Sequence, residues 1–414
     1  MSRRIGSPRL PLAVLVVALI SLTSAFATTP DRIAYTFHGT SDGAAPSARL
    51  ITDIRGNLYG TTASGCAYNF GCVFKISNAS GSWVETLLYS FTGPDGATPA
   101  SSLVLDGSGN LYGTTSAGGD FDLGVAFKLT PSTAGEWTET VLHSFGSGGD
   151  GYTPSGIILV SGALYGITQF GGTASSGPNN GGTVFRLTNA DGEWTETILY
   201  SFPGNFFGPD GDLPVGGLAI DGTGTLYGVT QAGGASGNGT VFALTPSSNG
   251  VFTESILHSF HITDGDLPNS TPVLDAAGNL YGTTYNGGDV KTCQPSGCGT
   301  VYELKKGSGN TWTLLLLRAL QGVDGIEAVG PLAFDPKGHL FFAAQAGAYG
   351  WGSIIELARS SKTPWPELII HEFRNNPDGA TPLAGVTFDV YDNLFGTTSS
   401  GGSGEMGTVY KIAE

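Results

Sequence analysis

Asn110-Leu-Tyr-Gly-Thr-Thr115 is one of seven related hexamers, with full copies at Asn57-Leu-Tyr-Gly-Thr-Thr62 and Asn279-Leu-Tyr-Gly-Thr-Thr284 and looser ones led by Leu164, Leu226, Leu340 and Leu394. From the tyrosine of one copy to the aromatic of the next, the chain advances 53, 53, 62, 54, 60 and 54 residues. The unit is therefore about fifty residues long, which suits a four-stranded propeller blade. Upstream of the hexamer, Leu103-Val-Leu105 alternates apolar residues and Asp106-Gly-Ser-Gly-Asn110 supplies turn chemistry, so the two strands form a hairpin. Downstream, Gly124-Val-Ala-Phe127 reads as a third strand and Trp137 to Phe145 as a fourth. The expected class is all-β: a seven-bladed β-propeller with four antiparallel strands per blade.

The two ends of the chain sharpen that expectation. The seventh repeat stops after Gly407-Thr-Val-Tyr410 with no fourth strand following, whereas Ala34-Tyr-Thr-Phe37 matches the fourth-strand ends Leu88-Tyr-Ser-Phe91 and Leu199-Tyr-Ser-Phe202. An N-terminal strand that completes the last blade would close the ring and remove exposed sheet edges.

Residues 1–27 differ in kind: Arg3, Arg4 and Arg9 precede an apolar centre from Leu10 to Leu22 and a small-residue site at Ala25-Phe-Ala27. This is the pattern of a signal peptide, and its apolar stretch is shorter than the roughly 20 residues that span a bilayer. Export is expected, with residues 28–414 forming the propeller and no membrane span after cleavage. The mature chain would hold 15 basic and 34 acidic residues, a formal charge of −19. With no basic cluster, a nucleic-acid partner is excluded. A monomer is expected. Cys66 with Cys72 and Cys293 with Cys298 lie in the corresponding loops of repeats one and five, so an exported chain would pair them within each loop. No histidine recurs beside either pair to complete a metal site.

In order of turn, Leu-Tyr-Gly-Thr-Thr, glycine pair, Gly-Thr-Val-Phe and tryptophan, the unit resembles a kelch repeat in layout. It is more similar to the GloVer tandem repeat of exported bacterial proteins, the choice-of-anchor tandem repeat GloVer-containing family, over residues 31–414. The resemblance implies a surface or secreted location and brings no established activity; members often continue into a C-terminal anchor, whereas this chain closes on the repeat.

Positions that break the repeat are the candidates for function, because loops on a rigid frame carry binding residues. The loops between the second and third strands are longer in repeat three (Phe170 to Gly182) and repeat five (Asn286 to Gly299), and the connection from repeat three to four inserts Phe206 and Phe207 before Asp210 and Asp212. All three lie on one face. Five residues after each repeat's leucine stand Ala63, Ser116, Gln169, Gln231, Tyr285, Gln345 and Ser399, large and polar only in repeats three to six. Gln, Tyr and Phe suit a glycan, cell-wall or protein ligand through hydrogen bonds and stacking. The expectation is a non-catalytic binding protein using that face.

The alternatives are a lyase- or glycosidase-type enzyme with a central-channel site, for which His261 and Asp212 are the unmatched groups, and a structural adhesion component. No cofactor is expected beyond calcium, for which Asp210 with Asp212 and Asp264 with Asp266 are candidates. An Asp-Gly pair opens every repeat, from Asp42 to Asp378, and six of the seven are followed by a proline four residues after the aspartate. Its recurrence marks a turn or cap between blades. The recurring tryptophans (Trp83, Trp137, Trp194, Trp312 and Trp365) read as blade packing.

Overall fold

Each Leu-Tyr-Gly-Thr-Thr segment is a fully buried second strand, and its glycine is required by its neighbour. A Cβ on Gly113 would lie 2.6 Å from Phe127 of the third strand, and one on Gly60 equally close to Phe74. The aromatic ring lies across the bare backbone, an approach open only to glycine. Repeat six reverses the arrangement: Phe342 occupies the glycine position and pairs with Ile355 where the aromatic would be. Its eroded sequence keeps the same packing with the large side chain moved to the other strand.

The computed structural model describes residues 32–79, 81–99, 101–173, 181–205, 208–322 and 325–412. These form seven antiparallel sheets with a single short 3-10 turn at Ser308–Asn310. Blade two is representative. It runs from inner segments Ala97–Pro99 and Val104–Leu105 through Leu111–Ala117 and Val125–Pro131 to the outer strand Trp137–Ser144. The seventh sheet takes its outer strand from the N-terminus: Arg32–Thr36 pairs with Thr408–Ile412, matching Arg32 to Lys411 and Thr36 to Thr408. Closure by the N-terminal strand is therefore as the sequence predicts.

The hydrophobic core is divided into seven clusters, one at each seam between neighbouring blades. Leu88, Phe91 and Tyr59 of blade one pack with Leu103, Leu111 and Phe127 of blade two. Phe37 and Val409 of blade seven pack with Leu50 and Phe74 of blade one. The tryptophans serve these seams: Trp83 meets Phe395 edge-on across the closing seam, and Trp194 meets Tyr112.

Each seam is also stitched by one hydrogen bond of unusual geometry. The third residue after the aspartate of each Asp-Gly pair, which precedes proline in six repeats and alanine in the sixth, has positive φ, between 53 and 60° at Ala45, Thr98, Thr153, Leu213, Leu267, Glu327 and Thr381. A non-glycine residue there costs on the order of 1 kcal/mol. In return its N–H reaches a carbonyl of the preceding blade, as in Thr98 to Phe70 at 2.9 Å and, across the closing seam, Ala45 to Met406 at 3.0 Å.

The hairpin aspartates are turn residues. Asp106 accepts from the backbone of Ser108 and Asn110 and from the side chains of Asn110 and Tyr112. Both disulfides form within their loops, Cys66 with Cys72 and Cys293 with Cys298. Among the described residues no helix is long and apolar enough to cross a membrane.

Candidate functional site

The inner strands of all seven blades enclose a central cavity of about 890 Å³. The residue five after each repeat's leucine stands near the end of the second strand that faces the variable loops, inside the strand in blades two to six, and two of the seven belong to the wall of this cavity. Gln169 and Ser116 line it directly. Gln169 donates from Nε2 to Gln231 Oε1 at 3.5 Å, joining blades three and four, and Tyr285 donates from its hydroxyl to Gln345 Oε1 at 3.4 Å, joining blades five and six. The four polar residues singled out by sequence thus form two cross-blade pairs on one half of the rim.

A fifth rim group was not foreseen. Burial, then a hydrogen bond and charge from Glu327, push the Tyr285 hydroxyl up to about 12. Glu327 occupies the positive-φ stitch position of blade six, the one repeat in which alanine replaces the following proline. That missing proline was the available signal.

The other predicted residues are placed differently. Phe170 stacks on Tyr152 of its own blade, with centroids 5.4 Å apart. Phe206 and Phe207 lie outside the described residues. Asp264 accepts from the backbone N–H of His261 and faces His258 Nε2 at 3.3 Å, and Asp266 accepts from Asn238 of the preceding blade at 2.8 Å. In the adjacent seam Gly181 stands where Asn238 would, and Asp212 is 1 % exposed with neither carboxylate oxygen hydrogen-bonded. Burial raises its pKa, opposed only weakly by the neighbouring Leu213 backbone N–H. Glu254 faces Asp210, but among the described residues neither calcium pair joins a third ligand-type atom within 4.8 Å. Among the described residues only His143, Asp150 and Glu196 bring three ligand-type atoms within 4.8 Å of one another.

That trio belongs to a recurring seam arrangement. A tyrosine or histidine on one outer strand meets the Asp-Gly aspartate and faces a glutamate of the next blade: Tyr89 with Asp95 and Glu139, and His143 with Asp150 and Glu196. Burial, and then the adjacent aspartate, raise Glu139 to about 8 and Glu85 and Glu254 to about 7. Burial likewise raises Glu196 to about 7, with His143 opposing and Asp150 adding to the effect. The equivalent glutamates carry one buried oxygen each without a hydrogen bond. Because tyrosine replaces histidine in other seams, the trio is read as scaffold.

His261, the unmatched histidine, accepts or donates at Nδ1 to Ser236 Oγ at 2.5 Å. Among the described residues no third group orients it as a base, since both oxygens of Asp264 are engaged by the His261 backbone and His258. Sequence reasoning also missed exposed aromatics on loops of the rim face over blades one, two and six: Tyr68, Phe70, Phe121, Tyr349 and Trp351. Arg374 lies over the Tyr349 ring at 4.9 Å.

The fold has wide likeness among solved structures. A candidate 6-phosphogluconolactonase from Bacteroides uniformis ATCC 8492 superposes with TM-score 0.53 at 14 % identity, covering 82 % of this chain and 88 % of that one. A protein from Lactobacillus plantarum gives TM-score 0.53 at 12 % identity, over 83 % and 88 %. At such identity the likeness shows the propeller fold alone. No curated protein matches the sequence. The model of the Gloeobacter/Verrucomicrobia repeat matches residues 20–177 and 169–410, and with its repeats spread over the whole ring this chain belongs to that family.

Proposed function

We propose that the protein is an exported, non-catalytic binding protein that takes a glycan end or similarly polar ligand at the channel mouth over blades three to six. The observation that carries this reading is the pairing of Gln169 with Gln231 and of Tyr285 with Gln345 across two seams, on one half of a ring otherwise built from repeats. Amide and phenol groups on a rigid rim suit hydroxyl-rich ligands, and a cavity of about 890 Å³ lies within the range of small-molecule sites. The two disulfides fit an oxidising compartment, in keeping with export. Among the described residues lining the cavity there is no carboxylate or imidazole, and the rim carboxylate Glu327 is tied to Tyr285 by a hydrogen bond, an arrangement that supports binding.

The test is an array of glycans and cell-wall fragments probed with labelled protein and with a Gln169→Ala, Gln345→Ala double variant. Loss of two neutral hydrogen bonds should weaken binding by about tenfold or more. A ligand bound equally well by both proteins would sink the site assignment.

A further inference from the structure

Among the described residues that line the channel, Arg49 is the only ionisable side chain. Strand pairing sets its level: Ile51, Val104 and Val273 face Tyr59, Tyr112 and Tyr281, so Arg49, Ser102 and Thr271 stand at one height. The same register puts Gly156, Gly217, Pro331 and Gly385 there in the remaining blades. Backbone contacts hold the glycine side closed. A Cβ on Gly156 would lie 2.6 Å from the Gly216 carbonyl, and one on Gly385 2.2 Å from that of Pro331. The wall at this height therefore offers one cation and two hydroxyl residues.

Only part of that cation is used. Arg49 Nε donates to the Val386 carbonyl and to Thr387 Oγ1, both at 3.0 Å, which clips blade one to blade seven. Among the described residues no hydrogen bond or ion pair engages either Nη nitrogen, and neither is sealed from solvent as a buried orphan. The guanidinium is fixed through Nε, with its outer edge left for the cavity. Burial lowers its pKa, the expected response of a cation without a counter-ion. A fixed guanidinium recognises carboxylate by two parallel N–H bonds.

We propose that Arg49 is an anion anchor inside the channel that binds the carboxylate of a small hydroxylated acid, such as a sugar acid, whose hydroxyl-bearing part rests on the rim. The proposal rests on the binding reading of the rim and specifies its ligand: an acidic rather than a neutral sugar end. In a chain with an excess of acidic residues, one lumenal arginine also makes the channel selective for an anion over the cations that the outer surface attracts.

The experiment is calorimetric titration at fixed ionic strength with sodium glucuronate, glucose and inorganic phosphate. The proteins are the wild type, Arg49→Met, Ser102→Asp and the Gln169→Ala, Gln345→Ala rim variant. Ser102→Asp supplies an internal carboxylate at the height of Arg49 while leaving the blade-one-to-seven clip intact, so it tests the anchor even if Arg49→Met does not fold. Glucuronate should bind the wild type saturably, and glucose and both channel variants should lose that binding by about tenfold or more, the value of one charge-assisted hydrogen bond. Equal binding of glucuronate and glucose, unchanged binding by Ser102→Asp, or tighter binding of phosphate overturns the carboxylate anchor. Loss in the rim variant with Ser102→Asp unaffected overturns the anchor and leaves the rim reading standing. Loss in Ser102→Asp with the rim variant unaffected does the reverse.

Discussion

The seams between blades and the wall of the channel are made by the same strands, yet they treat charge in opposite ways. Among the described residues six seams repeat an aspartate at their turn, and four of these set a partly buried glutamate beside it; the described channel wall carries a single arginine. Perturbed carboxylates ordinarily draw attention as functional groups. Here their recurrence from blade to blade marks them as parts of the frame, and the group that occurs once is the informative one.

The severest way to break the comparison is to remove one seam. Deleting Asp31 to His38 takes away the outer strand of blade seven and with it Phe37, a fully buried ring whose loss alone would cost about 3–5 kcal/mol. Loss of a cooperative melt in near-UV circular dichroism is expected, and a parent-like transition would refute closure by this strand.

The next effect is on pH dependence. Glu85, Glu139, Glu196 and Glu254 have folded pKa values of about 7 to 8, above their unfolded values, so the native state holds protons that the unfolded chain releases. Stability should therefore fall as pH rises from about 4.5 to about 8 and level off above. The turn aspartates Asp53, Asp106, Asp221 and Asp275 are lowered, the net result of hydrogen bonds overcoming burial, so their contribution is lost as pH falls below the usual aspartate range. Melting temperature should peak near pH 5, and a Glu85→Gln, Glu139→Gln, Glu254→Gln variant should flatten its alkaline limb. A profile unchanged by those substitutions would remove the seam glutamates as its cause.

A smaller contrast separates two neighbouring seams. Asp212→Asn should raise stability at neutral pH by about 1 kcal/mol, because it removes a buried charge without a partner. Asp266→Asn should lower it by a similar amount, about 1 kcal/mol, by weakening the bond from Asn238. Equal responses in urea unfolding would show that the Asn238 to Gly181 difference has no energetic consequence. Smallest of all, Gln169→Ala with Gln345→Ala should change stability by no more than about 0.5 kcal/mol, as expected for rim positions outside the cores. A large drop in melting temperature would turn the rim into scaffold as well.

Much of the frame was legible because the repeat prints each structural rule seven times. The hexamer gave the buried second strand, and the match of Tyr35 and Phe37 to Tyr89 and Phe91 gave the closure. The cross-rim pairs were legible as departures from one aligned position. Other features depend on residues brought together only by the ring. Arg49 lies in a segment that looks like any inner strand until the other six are placed beside it, and the bare Asp212 is visible only once Asn238 is matched to Gly181 across a seam. Glu327 was signalled by its missing proline, but a change in turn chemistry does not by itself say that the side chain meets Tyr285.

The closing ladder also determines how the molecule responds to being held. Arg32 and Lys411 face each other at one end of that ladder, on the side of the ring away from the rim. An attachment at either end therefore leaves the channel mouth pointing outward. Tension applied between both ends would peel the antiparallel pair one rung at a time instead of shearing all its hydrogen bonds together. A single tether presents the site, whereas a load across the two ends opens the ring at its only non-covalent joint.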